Sequence, residues 1–208
     1  MTVVVIPVGS FEQHGPHLPS DTDTRIADYL ARTLIAALPT CVLGPAITVS
    51  SSGEHNGFPN TLSIGNEVMT QVVLEIARSA DWADGIVFVN GHGGNFNAIR
   101  DAIEVIVFEG RRAFAWWPQV PNGDAHAGHT ETSIMLAIDP EVVRMDLAVP
   151  GNTEPISKIL PEIIGGGISA VSENGVLGDP TGATAESGRS ILASLSNDLI
   201  VAVRNWTE

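Results

Sequence analysis

The segment Ser10 to Thr24 holds two histidines, His14 and His17, and three carboxylates, Glu12, Asp21 and Asp23, directly after an apolar run. Carboxylate and imidazole together suit Zn²⁺, Mn²⁺ or Fe²⁺ rather than Ca²⁺. Glu12 and His14 are two apart, and in an extended segment such residues point to one side, so both can reach one point. Asp23 falls just before the first expected helix, where it can be a ligand or an ordinary N-cap. A second segment, Asn90-Gly91-His92-Gly93-Gly94-Asn95, places His92 in a glycine-rich turn from strand to helix. Such a turn admits a ligand close to the backbone, either a metal or a phosphate cradled at a helix N-terminus. Its spacing matches neither the dinucleotide-binding nor the P-loop motif. A third segment, His126-Ala127-Gly128-His129-Thr130-Glu131-Thr132, supplies two more imidazoles and a carboxylate. Glu131 can also simply favour the positive end of a helix that starts there. Glu54 and His55 lie in a polar loop, Ser50 to Asn60, where they can touch substrate or bond within the loop.

Nucleophilic alternatives are weaker. No Gly-x-Ser-x-Gly elbow is present. The one cysteine, Cys41, sits in an apolar stretch and reads as a buried core thiol. A single cysteine forms no intrachain disulfide, in keeping with a reducing compartment.

The elements that must position these groups alternate. Val3 to Val8 reads as a buried strand ending near Pro7, and Arg25 to Pro39 as a helix with Ile26, Leu30 and Leu34 in register. Cys41 to Val49 reads as a strand interrupted by Gly44-Pro45, and Glu67 to Trp82 as a helix with Val68, Val72 and Ile76 on one face. Ile86 to Val89 is a strand, followed by a helix to about Glu109 and a strand from Ala113 to Trp117. Helices are expected at Thr130 to Ile138, Ile156 to Ile164 and Ala183 to Trp206. Alternation of this kind predicts an α/β fold, a three-layer α/β/α sandwich with a mainly parallel central sheet. Ligands of such sheets bind beyond the carboxyl ends of the strands, where three of the polar segments fall.

The 208 residues suit one domain, 1–208, and 44% hydrophobic against 16% charged residues supports a sizeable core. The formal net charge of -14 repels phosphate backbones and anionic membranes, so neither nucleic acid nor membrane is an expected partner. No signal peptide or membrane-length apolar run is present, which predicts a cytoplasmic, soluble protein.

Taken together, the motifs resemble the creatininase (creatinine amidohydrolase) family. Pro7-Val8-Gly9-Ser10-x-Glu12-Gln13-His14-Gly15-x-His17-Leu18-Pro19-x-x-Thr22-Asp23 looks like its opening motif, Asn90 to Asn95 its second and His126-Ala127-Gly128-x-x-Glu131-Thr132-Ser133 its third. Gly53-Glu54-His55-x-x-Phe58-Pro59-x-Thr61 resembles its substrate-side loop. Gly175-Val176-x-Gly178-x-Pro180 with Ala183-Thr184-Ala185-Glu186 resembles its C-terminal segment. The resemblance implies a hydrolase of C–N amide bonds using two divalent ions per chain, Zn²⁺ with Fe²⁺ or Mn²⁺. It implies that Glu12 and His92 bind one ion, His14 the other, and Asp23 both. The family's next metal-binding glutamate falls at Gly94, so Glu131 is the expected replacement. His126 matches the proton-carrying histidine, which serves a water acidified between two ions. Glu54, His55, Gly93 and His129 are expected on the substrate side, Asp21 in solvent or behind the ligands, and His17 in a structural role.

The third and C-terminal motifs are similar to a peptide-cleaving branch that releases a C-terminal Val-Tyr dipeptide from a modified precursor peptide. The alternatives are a small cyclic-amide or formamide substrate and a non-catalytic metal-binding module. The family pattern also implies a homo-oligomer, hexameric or larger. It includes a lead segment before the first strand, so oligomer contacts and the pocket rim are expected to differ here.

Overall fold

The computed structural model describes residues 1–208. Four strands, β1 (Val3–Val8), β2 (Cys41–Leu43), β3 (Gly85–Asn90) and β4 (Ala113–Trp116), form a sheet in the order β2-β1-β3-β4. Every pairing is parallel, with Val3 opposite Cys41 and Gly85, and Ile86 opposite Ala113. Six helices accompany them: α1 (Thr22–Ala37), α2 (Gly65–Ser79), α3 (Phe96–Phe108), α4 (His129–Ile138), α5 (Ile156–Gly166) and α6 (Ala185–Thr207).

Period-two alternation sorts the central strands onto two cores. Val3, Val5, Val87 and Val89 face α1, α4 and α6, where they meet Leu30, Leu34, Met135 and Leu199. Val4, Ile6, Val8, Ile86 and Phe88 face α2 and α3, where they meet Met69, Val73, Ile99 and Ile106. The expected three-layer α/β/α sandwich is therefore observed. Burial on both faces explains why β1 and β3 read as unbroken apolar runs rather than alternating ones. No helix is long and apolar enough to cross a membrane.

Three expectations need correction, while β1 ends at Val8, near Pro7 as expected; the Pro7 carbonyl accepts from the Ile47 amide at 2.9 Å. A strand residue's N–H and C=O point the same way, so proline's missing donor falls on the side where β2 has already ended. β2 stops at Leu43, before Gly44-Pro45. α1 begins at Thr22, which puts Asp23 inside its first turn; Asp21, not Asp23, holds the N-cap position. On α2 the fully buried stripe is Met69, Val73 and Ala77, while Val68 is exposed. Both stripes are apolar at four-residue spacing, so periodicity alone could not choose between them.

Candidate metal centre

The segments after β1, β3 and β4 meet at the carboxyl edge of the sheet. Gly91 allows α1 to start there, because a Cβ at that position would lie 2.5 Å from the Asp23 carbonyl oxygen. The first turn of α1 thereby inserts Asp23 between the two strand ends. Asp23 Oδ1 lies 3.1 Å from His14 Nε2. Its Oδ2 accepts from Ser10 Oγ at 2.7 Å and lies 3.2 Å from His92 Nδ1. One carboxylate thus faces two imidazoles on opposite sides.

Two sets of donor atoms follow, each lying within 4.8 Å of one another: Glu12, Asp23 and His92, and His14, Asp23 and Glu131. Glu12 also enters sets with His14 and His126 and with Glu54 and His55. The Glu12 carboxylate is fully buried and neither oxygen accepts a hydrogen bond. His92 Nδ1 at 3.1 Å and His55 Nε2 at 3.3 Å come close to Oε1 without hydrogen-bond alignment. A buried carboxylate left this way is costly, and the cost falls when a cation takes its lone pairs. No lysine or arginine pairs with Glu12, Asp23, Glu54 or Glu131; their only ionic neighbours are imidazoles.

Both facing imidazoles are oriented from behind. His14 Nδ1 lies 3.1 Å from the Glu12 carbonyl, which leaves Nε2 toward Asp23. His92 Nε2 lies 2.9 Å from the Ser51 carbonyl, which leaves Nδ1 toward Asp23 and Glu12. A backbone acceptor behind the ring is the usual support of a metal-binding histidine. Burial would lower the His14 pKa, but the charge and hydrogen bond of Asp23, then Glu131 and Glu12, raise it to about 10. Burial, and then Asp23, push the Glu131 carboxyl up to about 7 against the pull of His14. Within the cluster His14 and His92 are thus drawn toward the protonated form and Glu131 is raised, while the facing imidazoles hold Asp23 well below the ordinary carboxylate range. Protons and divalent cations compete for the same lone pairs, so the donor set fits such cations.

His126 is pinned by an antiparallel bridge to Leu177 and by Nε2, 2.9 Å from the Gln13 carbonyl. Its Nδ1 lies 3.9 Å from Glu12 Oε1. Burial, then the neighbouring His14 and His55, hold its pKa well below the ordinary value, so the ring is neutral. Ala127 then turns into α4 in the left-handed region, φ 52°, and its amide donates to Glu131 Oε2 at 2.6 Å.

Glu54 and His55 form a 3₁₀ turn against the cluster, with Glu54 Oε1 3.3 Å from His92 Nε2. Glu54 occupies the space above Gly94, where any Cβ would collide with its Oε1, with His92 Nε2 and with the Ser51 carbonyl. Gly94 therefore does not open a cavity; a carboxylate from another loop fills it. Gly93 is exposed, with nothing within 4 Å of a Cβ there. His129 begins α4, its amide capped by Asp124, and lies outside every donor set. His17 is buried, its Nε2 2.8 Å from Thr132 Oγ1, and burial followed by the His14 charge lowers its pKa to about 4. Asp21 pairs with Arg25 at 2.8 Å, away from the cluster. Sequence reasoning gave no role to Gln13 and Ser51, which bond to site histidines; Gln13 was signalled only by its place within the opening motif, and Ser51 only by its nearness to the Gly53-Glu54-His55 motif.

Fold and donor set define a parallel α/β protein with a candidate divalent-cation donor cluster between strand-end loops. The sequence profile of the family Creatininase, described as creatinine amidohydrolase, matches residues 1–203, and the chain belongs to this family. It is similar to the mycofactocin precursor peptide peptidase of Mycolicibacterium smegmatis, 48% identical over 211 residues that cover 98% of this chain and 85% of that one. The Mycobacterium tuberculosis H37Rv protein of the same description is 49% identical over 214 residues, with the same shares. A glutamate-to-glutamine variant of creatininase, described as the Zn-Zn type, superposes with TM-score 0.80 at 24% identity. It covers 98% of this chain and 90% of that structure, and establishes the fold.

Proposed function

We propose that this chain is a metal-dependent peptidase that trims a modified precursor peptide in mycofactocin biosynthesis, releasing its C-terminal Val-Tyr dipeptide. The observation that carries the metal assignment is Asp23, whose two oxygens face His14 and His92 at 3.1 and 3.2 Å beside the unpartnered carboxylate of Glu12. Glu12 and His92 would hold one ion, His14 and Glu131 the other, and Asp23 both; Zn²⁺ with Fe²⁺ or Mn²⁺ suits these donors. When bound, the pair supplies an acidified water and a polarised carbonyl.

The chain's own residues do the rest. His126 presents Nδ1 to the cluster and moves a proton to the departing nitrogen. Glu54 and His55, in the 3₁₀ turn against Glu12 and His92, would line the substrate side. A groove of about 490 Å³ opens beside His14, lined by Gln13, Gly15, Leu18, Phe58 and Asn174 among others. That volume suits a peptide tail, and Gly93, exposed and with open space where a Cβ would stand, would leave room for substrate on the His92 side. His129, at the start of α4, would meet the substrate's remainder. The net charge of -14 disfavours nucleic acid and anionic membrane as partners, and on the family pattern alone the chain is taken as a cytoplasmic homo-oligomer.

Incubating the metal-loaded protein with the modified precursor and measuring its mass tests the proposal. Loss of Val-Tyr is expected. An intact precursor refutes it, and turnover of a cyclic amide or formamide instead moves the enzyme to the small-molecule branch.

A further inference from the structure

We propose that Gln13 is a positioning residue that sets the proton pattern of two site imidazoles, making His55 a hydrogen-bond donor and His126 a proton acceptor. The roles in catalysis rest on the peptidase reading; the proton pattern does not.

Gln13 is buried between the two rings. The Gly15 amide donates to its Oε1 at 2.9 Å. A backbone N–H can only donate, so that atom is the oxygen, and the other end of the amide carries two protons. One goes to the Gly175 carbonyl at 3.1 Å, which can only accept. The other goes to His55 Nδ1 at 2.9 Å. His55 Nδ1 is therefore an acceptor, and the ring's proton sits on Nε2, 3.3 Å from Glu12 Oε1.

The main chain of the same residue sets His126. Its carbonyl, an acceptor only, lies 2.9 Å from His126 Nε2, which must carry the proton. The approach of 3.2 Å between His126 Nε2 and the Gln13 amide nitrogen is then a contact of two hydrogen-bearing atoms, not a bond. His126 Nδ1 keeps its lone pair and turns it toward the cluster.

The two rings, 4.5 Å apart between centroids, share one tautomer yet show the cluster opposite ends. His55 offers N–H, suited to an oxygen gaining negative charge, and His126 offers a base. Gly175, at φ 78°, keeps the arrangement possible, because a Cβ there would run into the Gln13 amide.

The test is the ring ¹H–¹⁵N spectrum of zinc-loaded, histidine-labelled protein. Wild type should show Nε2–H at both His55 and His126. In Gln13→Glu the side chain can only accept, so the His55 proton should move to Nδ1. His126, held by the main chain, should not change. Against the precursor peptide, kcat should fall about 10²-fold with KM nearly unchanged, as loss of an oxyanion donor does. Gln13→Met serves if the glutamate variant does not fold, and should leave His55 as a tautomer mixture. Nδ1–H at His55 in wild type, or an unchanged His55 in a folded variant, overturns the proposal. The locked pattern without peptide cleavage would instead overturn the peptidase reading alone.

Discussion

Glu12→Gln separates a metal-binding carboxylate from a structural one. In the fold, Glu12 is fully buried and both oxygens lack hydrogen bonds. An unsatisfied buried polar group costs about 1–3 kcal/mol, and a charged one more. A neutral isostere keeps the polar part of that cost and sheds only the charged excess, so it should stabilise chelator-treated protein by about 1 kcal/mol. For a chain of this length that raises Tm by roughly 2–4 °C. Zinc at one hundred times its dissociation constant should stabilise wild type by about 2.7 kcal/mol, or roughly 5–11 °C. The variant should lose most of that gain, so the order of the two melting points reverses on adding zinc. Calorimetry of both proteins with chelator and with zinc measures all four values. A variant that melts lower than wild type under chelation, and responds equally to zinc, would refute the reasoning, because Glu12 would then be an ordinary supporting group.

Gly94→Ala should cost about 1–3 kcal/mol through collision with Glu54, His92 and Ser51. In a Glu54→Ala background the cost should shrink, and denaturant titration of the four-protein cycle should give a coupling of at least about 0.5 kcal/mol. Phe88→Ala empties a fully buried position in the core between the sheet and the α2 and α3 helices. It should lose about 3–5 kcal/mol, or roughly 6–20 °C in Tm, with metal content per folded chain unchanged by elemental analysis. Burial raises the Cys41 thiol pKa, so a disulfide reagent at about pH 8 should label it only after unfolding.

Much of the architecture was legible because β1 and β3 are buried on both faces and so carry unbroken Val, Ile and Phe runs. The boundaries were less so. The start of α1 at Thr22 depends on Gly91 giving way to it, which is not a local property. Of the candidate site, the motif residues announced themselves by type and spacing, and the family followed from them. The Ser50 to Asn60 loop looked solvated, yet Ser50, Ser51, Ser52 and His55 are buried. Ser50, Ser51 and His55 find long-range partners in Gly9, His92 and Gln13, which no window of sequence reveals. Likewise Gly94, standing where the family pattern has a glutamate, gives no hint that Glu54, from another loop, occupies the space there.

Anomalous scattering from crystals grown with zinc is the most direct test of the two-ion claim. Two peaks about 3.5–4 Å apart are expected, one between Glu12, Asp23 and His92 and the other between His14, Asp23 and Glu131. A single peak, no peak, or zinc bound away from Asp23 would contradict it.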